Sequence, residues 1–238
     1  MAAVTATVDP SFDYADAVCF FDCDDCLYFN DWSTAKLLTI KIEEHCQGEL
    51  NLPAGKAYEL YKKYGTALKG LLEEEIIANT PEGIDEYLQK VHDIPLDDIQ
   101  PDPVLRDMLL RIDRPRWVFT ASVASHAQRC LERLGIADLF LGIIDCKACN
   151  LATKHSKEAF EAAMAVAGVD AADGGRCLFF DDSTKNIRTA KVDMGWRTCL
   201  VGLYGRDDQQ RITCPEADLE VANIRELTTA MPTLFTAV

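Results

Sequence analysis

The sequence predicts a doubly wound α/β domain into which a small helical domain is inserted. Five short and nearly continuous apolar runs recur along the 238 residues, as expected for strands that are buried on both faces of a parallel sheet. Helical patterns separate the later runs, and this alternation is typical of a parallel sheet covered by helices. About ninety residues separate the first run from the second, which is more than one crossover connection needs.

Every strand and helix of the main domain has a signal of its own. The predicted strands are AVCFF (17–21), RWVFT (116–120), LFLGII (139–144), RCLFF (176–180) and RTCLV (197–201). Helices are predicted over 123–134, 156–167 and 184–194. A glycine follows each of these helices, at Gly135, Gly168 and Gly195, and glycine is the residue that most often ends a helix.

The long interval after the first strand is strongly helical. Helices are predicted over 33–46, from Pro53 to about 75, and from Pro81 to about 92 with Thr80 as the cap. The segment IPLDDIQPDP then carries the Pro and Asp signals of a loop that returns to the sheet. We therefore assign residues 1–30 and 100–238 to the core domain and residues 31–99 to a helical cap domain.

Composition narrows the possible partners. The chain has 24 Lys and Arg residues against 39 Asp and Glu residues, a formal net charge of −15. Nucleic-acid polymers and anionic membranes are bound by clusters of Lys and Arg, and no such cluster stands out, so we expect neither as a partner. No apolar run approaches the roughly 20 residues of a membrane span, and the N-terminus lacks the features of a secretion signal. We expect a cytoplasmic protein, of an oligomeric state that the sequence does not indicate.

The ten cysteines are scattered, and several lie inside apolar runs, which predicts reduced thiols in the core. Two CxxC pairs, Cys23–Cys26 and Cys146–Cys149, raise the alternative of a zinc site. Paired zinc knuckles are usually separated by roughly 15 to 20 residues, whereas these pairs are about 120 apart. We also expect Cys23 to point to the opposite side of its extended segment from Asp22 and Asp24. The prediction is a packing role for Cys23 and Cys26, with a thiol-redox role for CKAC left open.

Polar residues stand where the predicted strands end. They are Asp22 and Asp24 after the first run, Thr120 at the end of the second, Asp181 and Asp182 after the fourth, and Lys154 in the loop before a helix. Ligands of open α/β sheets bind beyond the carboxyl ends of the strands, so we expect these side chains to share one site. Two carboxylates at about 4 Å repel by about 4 kcal/mol at an effective dielectric of about 20. Lys154 alone does not offset this repulsion, so the site must either protonate carboxylates or hold a divalent cation, and oxygen ligands suit Mg²⁺. A phosphoryl group suits the same site, because Mg²⁺, Lys154 and Thr120 can bind its oxygens while a carboxylate attacks.

At these residues the sequence resembles the haloacid dehalogenase superfamily of phosphohydrolases, from about residue 17 to the end of the chain. The four motifs that carry the resemblance occur in the expected order: DCDDCLY (22–28), Thr120 in VFTAS, Lys154 in LATKHSKEAF and FFDDSTKN (179–186). The resemblance implies a Rossmann-like core, a small α-helical cap domain, Mg²⁺ as the cofactor and a small phosphorylated metabolite as the substrate.

The resemblance also implies roles for single residues. Asp22 would be the nucleophile that forms an aspartyl-phosphate, and Asp24 the acid that protonates the leaving oxygen and then activates water. Mg²⁺ would be bound by the Asp22 carboxylate, the Asp24 backbone carbonyl and Asp182, with Asp181 close by. A halide leaving group needs no proton, so Asp24 favours phosphoester chemistry over that of a 2-haloacid dehalogenase.

Phosphate contacts and outer support follow from the same motifs. Thr120, Lys154 and the backbone amides near Asp25 and Ala121 would hold the phosphate. Asn186, on the helix after the fourth motif, would support the site from behind the residues that contact the phosphate and the metal. In the cap, the candidates to face the leaving group are Tyr61, Tyr64 and Gly65, although Tyr58 and Tyr61 also have the helical spacing of core residues.

A narrower resemblance is to the pyrimidine 5′-nucleotidase-like branch, on DxDxCLY, KKYGTALKGL (62–71) and HAQRCLERLGIADLF (126–140). The chain departs from that branch at Ala121, where Asn is usual and Ser122 is the candidate replacement, and at His155, where Pro is usual. The resemblance implies a nucleoside 5′-monophosphate such as UMP or CMP as the substrate. The alternatives are another small phosphomonoester (a sugar phosphate, lysophospholipid or vitamin phosphate), a phosphomutase and a catalytically inactive binding module.

Overall fold

The computed structural model describes residues 14–206 and 208–236, which belong to two compact units. One unit contains the chain up to Asn30 and from Ile99 onward, and the other contains Asp31–Asp98. Each unit is described below by itself. The assignment of residues 31–99 as a cap domain stays a prediction.

The unit Asp31–Asp98 is helical, with α1 (Ser33–Gly48), α2 (Lys56–Tyr64), α3 (Ala67–Glu73) and α4 (Pro81–Val91). The prediction of one helix from Pro53 to about 75 is wrong, because Gly65 takes a φ of 91° and ends α2. The Thr66 side chain then caps α3 by accepting a hydrogen bond from the Lys69 amide at 3.1 Å. The predicted Thr80 cap does begin α4.

A six-stranded parallel sheet forms the centre of the other unit. Its strands are β1 (Val18–Phe21), β2 (Arg116–Phe119), β3 (Gly142–Ile144), β4 (Cys177–Asp181), β5 (Arg197–Val201) and β6 (Leu219–Val221), in the order β3-β2-β1-β4-β5-β6. The predicted α/β fold class is confirmed, although β6 was not predicted. The chain proceeds outward on both sides of β1, so the carboxyl ends of β1, β2 and β4 border the crevice in which ligands of such sheets bind.

Helices α5 (Pro103–Leu110), α6 (Ala124–Leu134), α7 (Lys157–Ala167), α8 (Thr184–Arg188) and α9 (Leu227–Ala230) belong to the same unit. Helix α5 was missed, although Asp102 caps it by accepting a hydrogen bond from the Leu105 amide at 2.9 Å. The predicted strand 139–144 is too long, because a 3₁₀ turn over Ala137–Leu139 precedes β3. No helix in the described residues is long and apolar enough to cross a membrane.

Aromatic side chains fill both faces of the sheet. The rings of Phe20 and Trp196 lie 4.7 Å apart, and those of Trp196 and Phe160 lie 5.0 Å apart. Phe21 points to the opposite face, where it stacks on Phe180 at 4.5 Å. Burial on both faces explains the nearly continuous apolar runs, and it gives the loops beyond the strands a rigid support.

A buried glycine tests this packing. A Cβ added to Gly174 would lie 2.2 Å from the Met194 carbonyl oxygen, whereas one added to Gly175 would meet nothing within 4 Å. We expect Gly174→Ala to lower the free energy of unfolding by about 1–3 kcal/mol, because a backbone carbonyl has to move. Gly175→Ala should stay within about 0.5 kcal/mol of the parent. Urea unfolding measures both, and equal stability of the two variants would contradict the close contact at Gly174.

Candidate active site

The backbone of the sheet fixes three of the predicted site residues. The Asp22 amide donates a hydrogen bond to the Phe180 carbonyl at 2.8 Å, which extends the pairing of β1 and β4 and holds Asp22 directly after β1. Asp181 is the last residue of β4. The Thr120 amide donates to the Ile144 carbonyl at 2.9 Å and continues the pairing of β2 and β3. These residues therefore stand at one edge of the sheet.

Lys154 joins two carboxylates at this edge. Its ammonium donates hydrogen bonds to Asp22 Oδ1 at 2.6 Å and to Asp181 Oδ2 at 2.7 Å. A third bond goes to the Phe119 carbonyl at 3.0 Å, so each N–H of the ammonium has an acceptor. Lys154 is only 4% exposed. Although burial disfavours the ammonium, Asp181 and Asp22 raise the pKa of Lys154, which stays charged.

Asp181 is held by further donors from the loop after β4. The Ser183 amide donates to its Oδ1 at 2.8 Å, and Asn186 Nδ2 donates to the same oxygen at 2.9 Å. Asp181 is fully buried. The Asn186 Oδ1 is also buried and has no hydrogen-bond partner within the described residues, so one more oxygen is available beside Asp181.

Asp22, Asp181 and Asp182 form an acidic cluster, in which one oxygen of each lies within 4.8 Å of the other two. Burial raises the pKa of Asp22 to about 7, although Lys154 acts in the opposite direction. Burial and the carboxylates of Asp181 and Asp22 raise the pKa of Asp182 well above its usual range. One ammonium therefore does not offset the negative charge of the cluster. Closely spaced carboxylate oxygens of this kind fit a hard divalent cation such as Mg²⁺.

Asp24 belongs to a neighbouring network in which Tyr28 and His126 were not assigned a role from the sequence and Ser122 was predicted as a phosphate contact. The Tyr28 hydroxyl donates to Asp24 Oδ1 at 2.5 Å, and His126 Nε2 lies 3.0 Å from the same oxygen. The Ser122 hydroxyl donates to Asp24 Oδ2 at 3.3 Å. Although burial disfavours the imidazolium, Asp24 raises the pKa of His126 to about 10, so the charged ring donates to the carboxylate. Asp24 is thus held by three side chains.

The expected orientation of Cys23 is wrong. The Cys23 and Cys130 thiols and one Asp24 oxygen all lie within 4.8 Å of one another, so Cys23 and Asp24 share a side of the loop. The alternation of a strand does not apply, because β1 ends at Phe21 and residues 24–27 form a turn. Asp25 in this turn has a left-handed φ of 58°.

Neither group of closely spaced metal-ligating side chains in the described residues combines the two CxxC pairs. The Cys26 thiol donates to the Phe180 carbonyl at 3.3 Å, and the Cys149 thiol donates to the Ala159 carbonyl at 3.6 Å. Both thiols are buried, as expected for packing residues. Burial raises the pKa of Cys146 to about 12, so this thiol is protonated at neutral pH, which disfavours the redox role left open for CKAC.

The loop after β2 carries the other predicted phosphate contacts. Thr120 Oγ1 accepts a hydrogen bond from the Ser122 amide at 3.0 Å, so the hydroxyl proton remains to be donated. Ala121 is exposed between them. The Ser122 hydroxyl contacts Asp24, which gives it a different partner from the phosphate predicted for it.

Asp25 is the predicted phosphate contact in the turn after β1. Burial, and next the charge of Asp24, raise the pKa of its carboxyl group to about 7.

The chain matches the family model of the haloacid dehalogenase-like hydrolases over residues 17–192. It belongs to this family. The hydrolase is also 30% identical over 223 residues to phosphate metabolism protein 8 of Saccharomyces cerevisiae, with 86% of this chain and 68% of that protein covered.

Solved structures of similar fold include two from bacteria. A β-phosphoglucomutase from Clostridium difficile superimposes with a TM-score of 0.59 at 16% identity, covering 91% of this chain and 96% of that one. The haloacid dehalogenase hydrolase YfnB of Bacillus subtilis, bound to magnesium, gives a TM-score of 0.55 at 18% identity, covering 91% and 98%. At these identities the similarity establishes the fold of the hydrolase and nothing finer.

The predicted substrate-facing residues of the hydrolase lie in the unit Asp31–Asp98. Tyr61 on α2 stacks with Tyr58 at a ring distance of 6.2 Å, and the two residues are 46% and 53% exposed. Their exposure does not support the alternative that they are core residues. Tyr64 is the last residue of α2 and Gly65 ends that helix.

The acidic cluster of this haloacid dehalogenase-like hydrolase predicts a pH-dependent stabilisation by Mg²⁺. The pKa of Asp22 rises from 3.8 to about 7 on folding, so the folded protein binds the Asp22 proton more tightly than the unfolded chain does. The stabilisation by this proton is therefore complete below pH 3.8 and is lost as the pH rises through 7. Cations and protons compete for these oxygens, so Mg²⁺ should raise the melting temperature more at about pH 8 than at about pH 5. Thermal unfolding with Mg²⁺ and with EDTA measures this. The Asp182→Asn variant should show a smaller shift, and an equal shift at both pH values would refute the prediction.

Proposed function

We propose that the chain is a Mg²⁺-dependent phosphomonoesterase that works through an aspartyl-phosphate, with nucleoside 5′-monophosphates of the UMP and CMP type as its leading substrates. The observation that carries the proposal is the arrangement of Asp22, Lys154 and Asp24 beyond β1. Lys154 orients Asp22 through Oδ1, so we assign the attack to Oδ2. Asp24 stands two residues later with a proton donor on its carboxylate.

In the first half of the reaction, Asp22 Oδ2 forms a bond to phosphorus and the ester P–O bond breaks. The electron pair of that bond goes to the leaving oxygen, which takes a proton from Asp24. Asp24 is ionised beside the charged His126, so this proton is the one that His126 Nε2 passes to Asp24 Oδ1, 3.0 Å away, and His126 is left neutral. The positive charge of Lys154 and the hydrogen bond that the Thr120 hydroxyl can donate stabilise the phosphoryl oxygens as charge moves onto them.

In the second half, water attacks the phosphorus of the aspartyl-phosphate. The pair of Asp24 and His126 accepts the proton of that water, and the bond to Asp22 Oδ2 breaks. Inorganic phosphate leaves and Asp22 is restored. The sum is one ester and one water converted to one alcohol and one phosphate.

Mg²⁺ would be held by the Asp22 carboxylate, the Asp24 backbone carbonyl and Asp182, with Asp181 adjoining. When bound there, it supplies a positive charge that stabilises the phosphoryl oxygens in the transition state. Asp181 is already occupied by Lys154, Ser183 and Asn186, so we assign it to orienting the site. The magnesium-bound structure of the same fold agrees with this choice of ion.

The name of the yeast relative, phosphate metabolism protein 8, supports phosphate chemistry over dehalogenation. Asp24 supports it too, because a halide needs no proton whereas an alkoxide does. The pyrimidine preference rests on the branch resemblance carried by DxDxCLY, KKYGTALKGL and HAQRCLERLGIADLF.

The test is phosphate release from a panel of phosphomonoesters with Mg²⁺ and with EDTA. We expect phosphate release that depends on Mg²⁺, with the highest kcat/KM for UMP or CMP. A higher kcat/KM for a sugar phosphate, a lysophospholipid or a vitamin phosphate would keep the phosphatase and overturn the nucleotide assignment. Movement of phosphate within one substrate without release would identify a mutase. No metal-dependent turnover of any ester would overturn the whole proposal.

The Asp24→Asn variant tests the proton role. Aryl phosphates have a good leaving group, so p-nitrophenyl phosphate should still phosphorylate Asp22 and give a burst of one p-nitrophenol per chain. Turnover should then be slow, by about 10²–10⁴-fold, because the water is no longer activated. UMP should show neither burst nor turnover. Rapid-mixing kinetics measures the burst, and an unchanged steady-state rate on UMP would remove Asp24 from the mechanism.

A further inference from the structure

A second cluster of metal-ligating side chains lies next to the acidic cluster and differs from it in chemistry. It consists of the Cys23 and Cys130 thiols, the His126 imidazole and the Asp24 carboxylate, which we call the thiol cluster. Cys23, Cys130 and His126 are almost completely buried. None of the three is needed as a ligand of the acidic cluster, which uses oxygen atoms.

Three side chains of the thiol cluster lie close enough together to bind one ion. Cys23 Sγ, Cys130 Sγ and an Asp24 oxygen are all within 4.8 Å of one another. Tetrahedral zinc with bonds of about 2.3 Å to sulfur places neighbouring ligand atoms about 3.3–3.8 Å apart, so these three atoms need only a small approach to bind it. His126 lies beside them, because its Nε2 is 3.6 Å from Cys130 Sγ and 3.0 Å from Asp24 Oδ1.

We propose that Cys23, Asp24 and Cys130 form a binding site for a thiophilic divalent cation, with Zn²⁺ as the ion that fits. Two sulfur ligands favour Zn²⁺ over Mg²⁺, which prefers oxygen. The ligand set is different from the four cysteines of the two CxxC pairs. It takes Cys23 and Asp24 from CDDC and adds Cys130, which is remote in sequence.

The ligands come from a helix and from the chain after β1. Cys130 lies on α6, where His126 is one turn away on the same face of the helix. Cys23 and Asp24 lie two and three residues beyond the end of β1 at Phe21. The Tyr28 hydroxyl donates to Asp24 and lies 3.8 Å from Cys130 Sγ, so it can orient both ligands without binding the cation itself.

Binding would change the state of Asp24. The two thiol protons pass to the solvent, and the two thiolates and the Asp24 carboxylate then bind the cation. Zn²⁺ would consequently inhibit turnover by occupying Asp24, and this consequence alone rests on the proposed function. The binding itself does not depend on any catalytic activity.

Binding can be measured on the full chain without an activity assay. The reduced, chelator-treated protein is titrated with Co²⁺, which gives an ultraviolet charge-transfer band when thiolates bind it. We expect one equivalent of Co²⁺ to develop this band and Zn²⁺ to displace it. X-ray absorption of the zinc-loaded protein should show two sulfur ligands, and a shell of nitrogen and oxygen alone would overturn the proposal whatever the variants do.

Variants locate the site. Cys130→Ser and Cys23→Ser should each abolish or shift the Co²⁺ band, whereas Cys146→Ser, which changes a partly exposed thiol of the other CxxC pair, should retain it. Asp182→Asn should also retain the band, because Asp182 belongs to the acidic cluster. An unchanged band in both Cys130→Ser and Cys23→Ser would overturn the proposal.

Inhibition of phosphate release by Zn²⁺ is a separate measurement. If the phosphatase proposal holds, Cys130→Ser should weaken inhibition by Zn²⁺ at least about tenfold relative to Cys146→Ser, at saturating Mg²⁺. A zinc-bound chain with no phosphatase activity would retain the metal site and reject the proposed function. An active enzyme without a thiolate band would retain the proposed function and reject the metal site.

Discussion

Replacement of Asp22 by Asn should reduce turnover by about 10⁴-fold or more, because an amide nitrogen or oxygen cannot form the aspartyl-phosphate. The amide has nearly the shape of the carboxylate, and its oxygen can still accept the hydrogen bond that Lys154 gives to Oδ1 at 2.6 Å. The loss should therefore be chemical and not a loss of fold. Steady-state phosphate release at saturating Mg²⁺ measures the effect.

The melting temperature distinguishes a loss of chemistry from a loss of fold. The pKa of Asp22 is raised to about 7 by burial, so its ionised form is unfavourable in the metal-free protein above that pH. Asp22→Asn should thus melt at the same or a higher temperature than the parent at about pH 8 in EDTA. The matched control is Asp16→Asn, the same change at an exposed residue just before β1, which should leave turnover unaltered. Activity within tenfold of the parent in Asp22→Asn would refute the nucleophile assignment.

Replacement of Lys154 by Met should have the largest effect on stability. The ammonium is buried and donates to Asp22, Asp181 and the Phe119 carbonyl, so its removal leaves two carboxylates without their shared counter-ion. Breaking a buried ion pair in this way typically costs about 3–5 kcal/mol. Methionine retains the length of the chain between the rings of Phe119 and Phe179, which limits the loss of packing.

The pH dependence identifies this cause. Protonation of Asp22 and Asp182, whose pKa values are raised, relieves the uncompensated charge, so the destabilisation of Lys154→Met should be smaller at about pH 5 than at about pH 8. Lys157→Met makes the same change at an exposed position three residues later and should stay within about 0.5 kcal/mol of the parent. Urea unfolding in EDTA measures both variants. If Lys154→Met were as stable as Lys157→Met, the ion-pair network would not be a source of stability.

The site shows where sequence reasoning succeeds and where it stops. Parallel strands end at one edge of their sheet, so residues that follow separate strands are brought together by the fold class alone. Asp22 and Asp181 follow this rule, and the structure places both on the ammonium of Lys154. Their chemical roles stay predictions, which the variants above test.

The errors have local causes. The rule that side chains alternate along a strand gave the wrong orientation for Cys23. The rule does not apply there, because β1 ends at Phe21 and the chain then turns through Asp25, which has a left-handed φ. A helical pattern from Pro53 concealed the break at Gly65, since glycine is tolerated within a helical pattern as well as at its end. The short edge strand β6 has only three residues, too few to show a period.

Short-range patterns of apolar and polar side chains are enough to predict the α/β class, five of the six strands and the acidic residues at their ends. The groups that surround Asp24 are known only from the folded structure. Tyr28, His126 and Cys130 reach it from a turn and from one face of α6, and 102 positions along the chain separate His126 from Asp24. Such a contact depends on how α6 packs against the sheet, and no periodicity of the sequence records that packing.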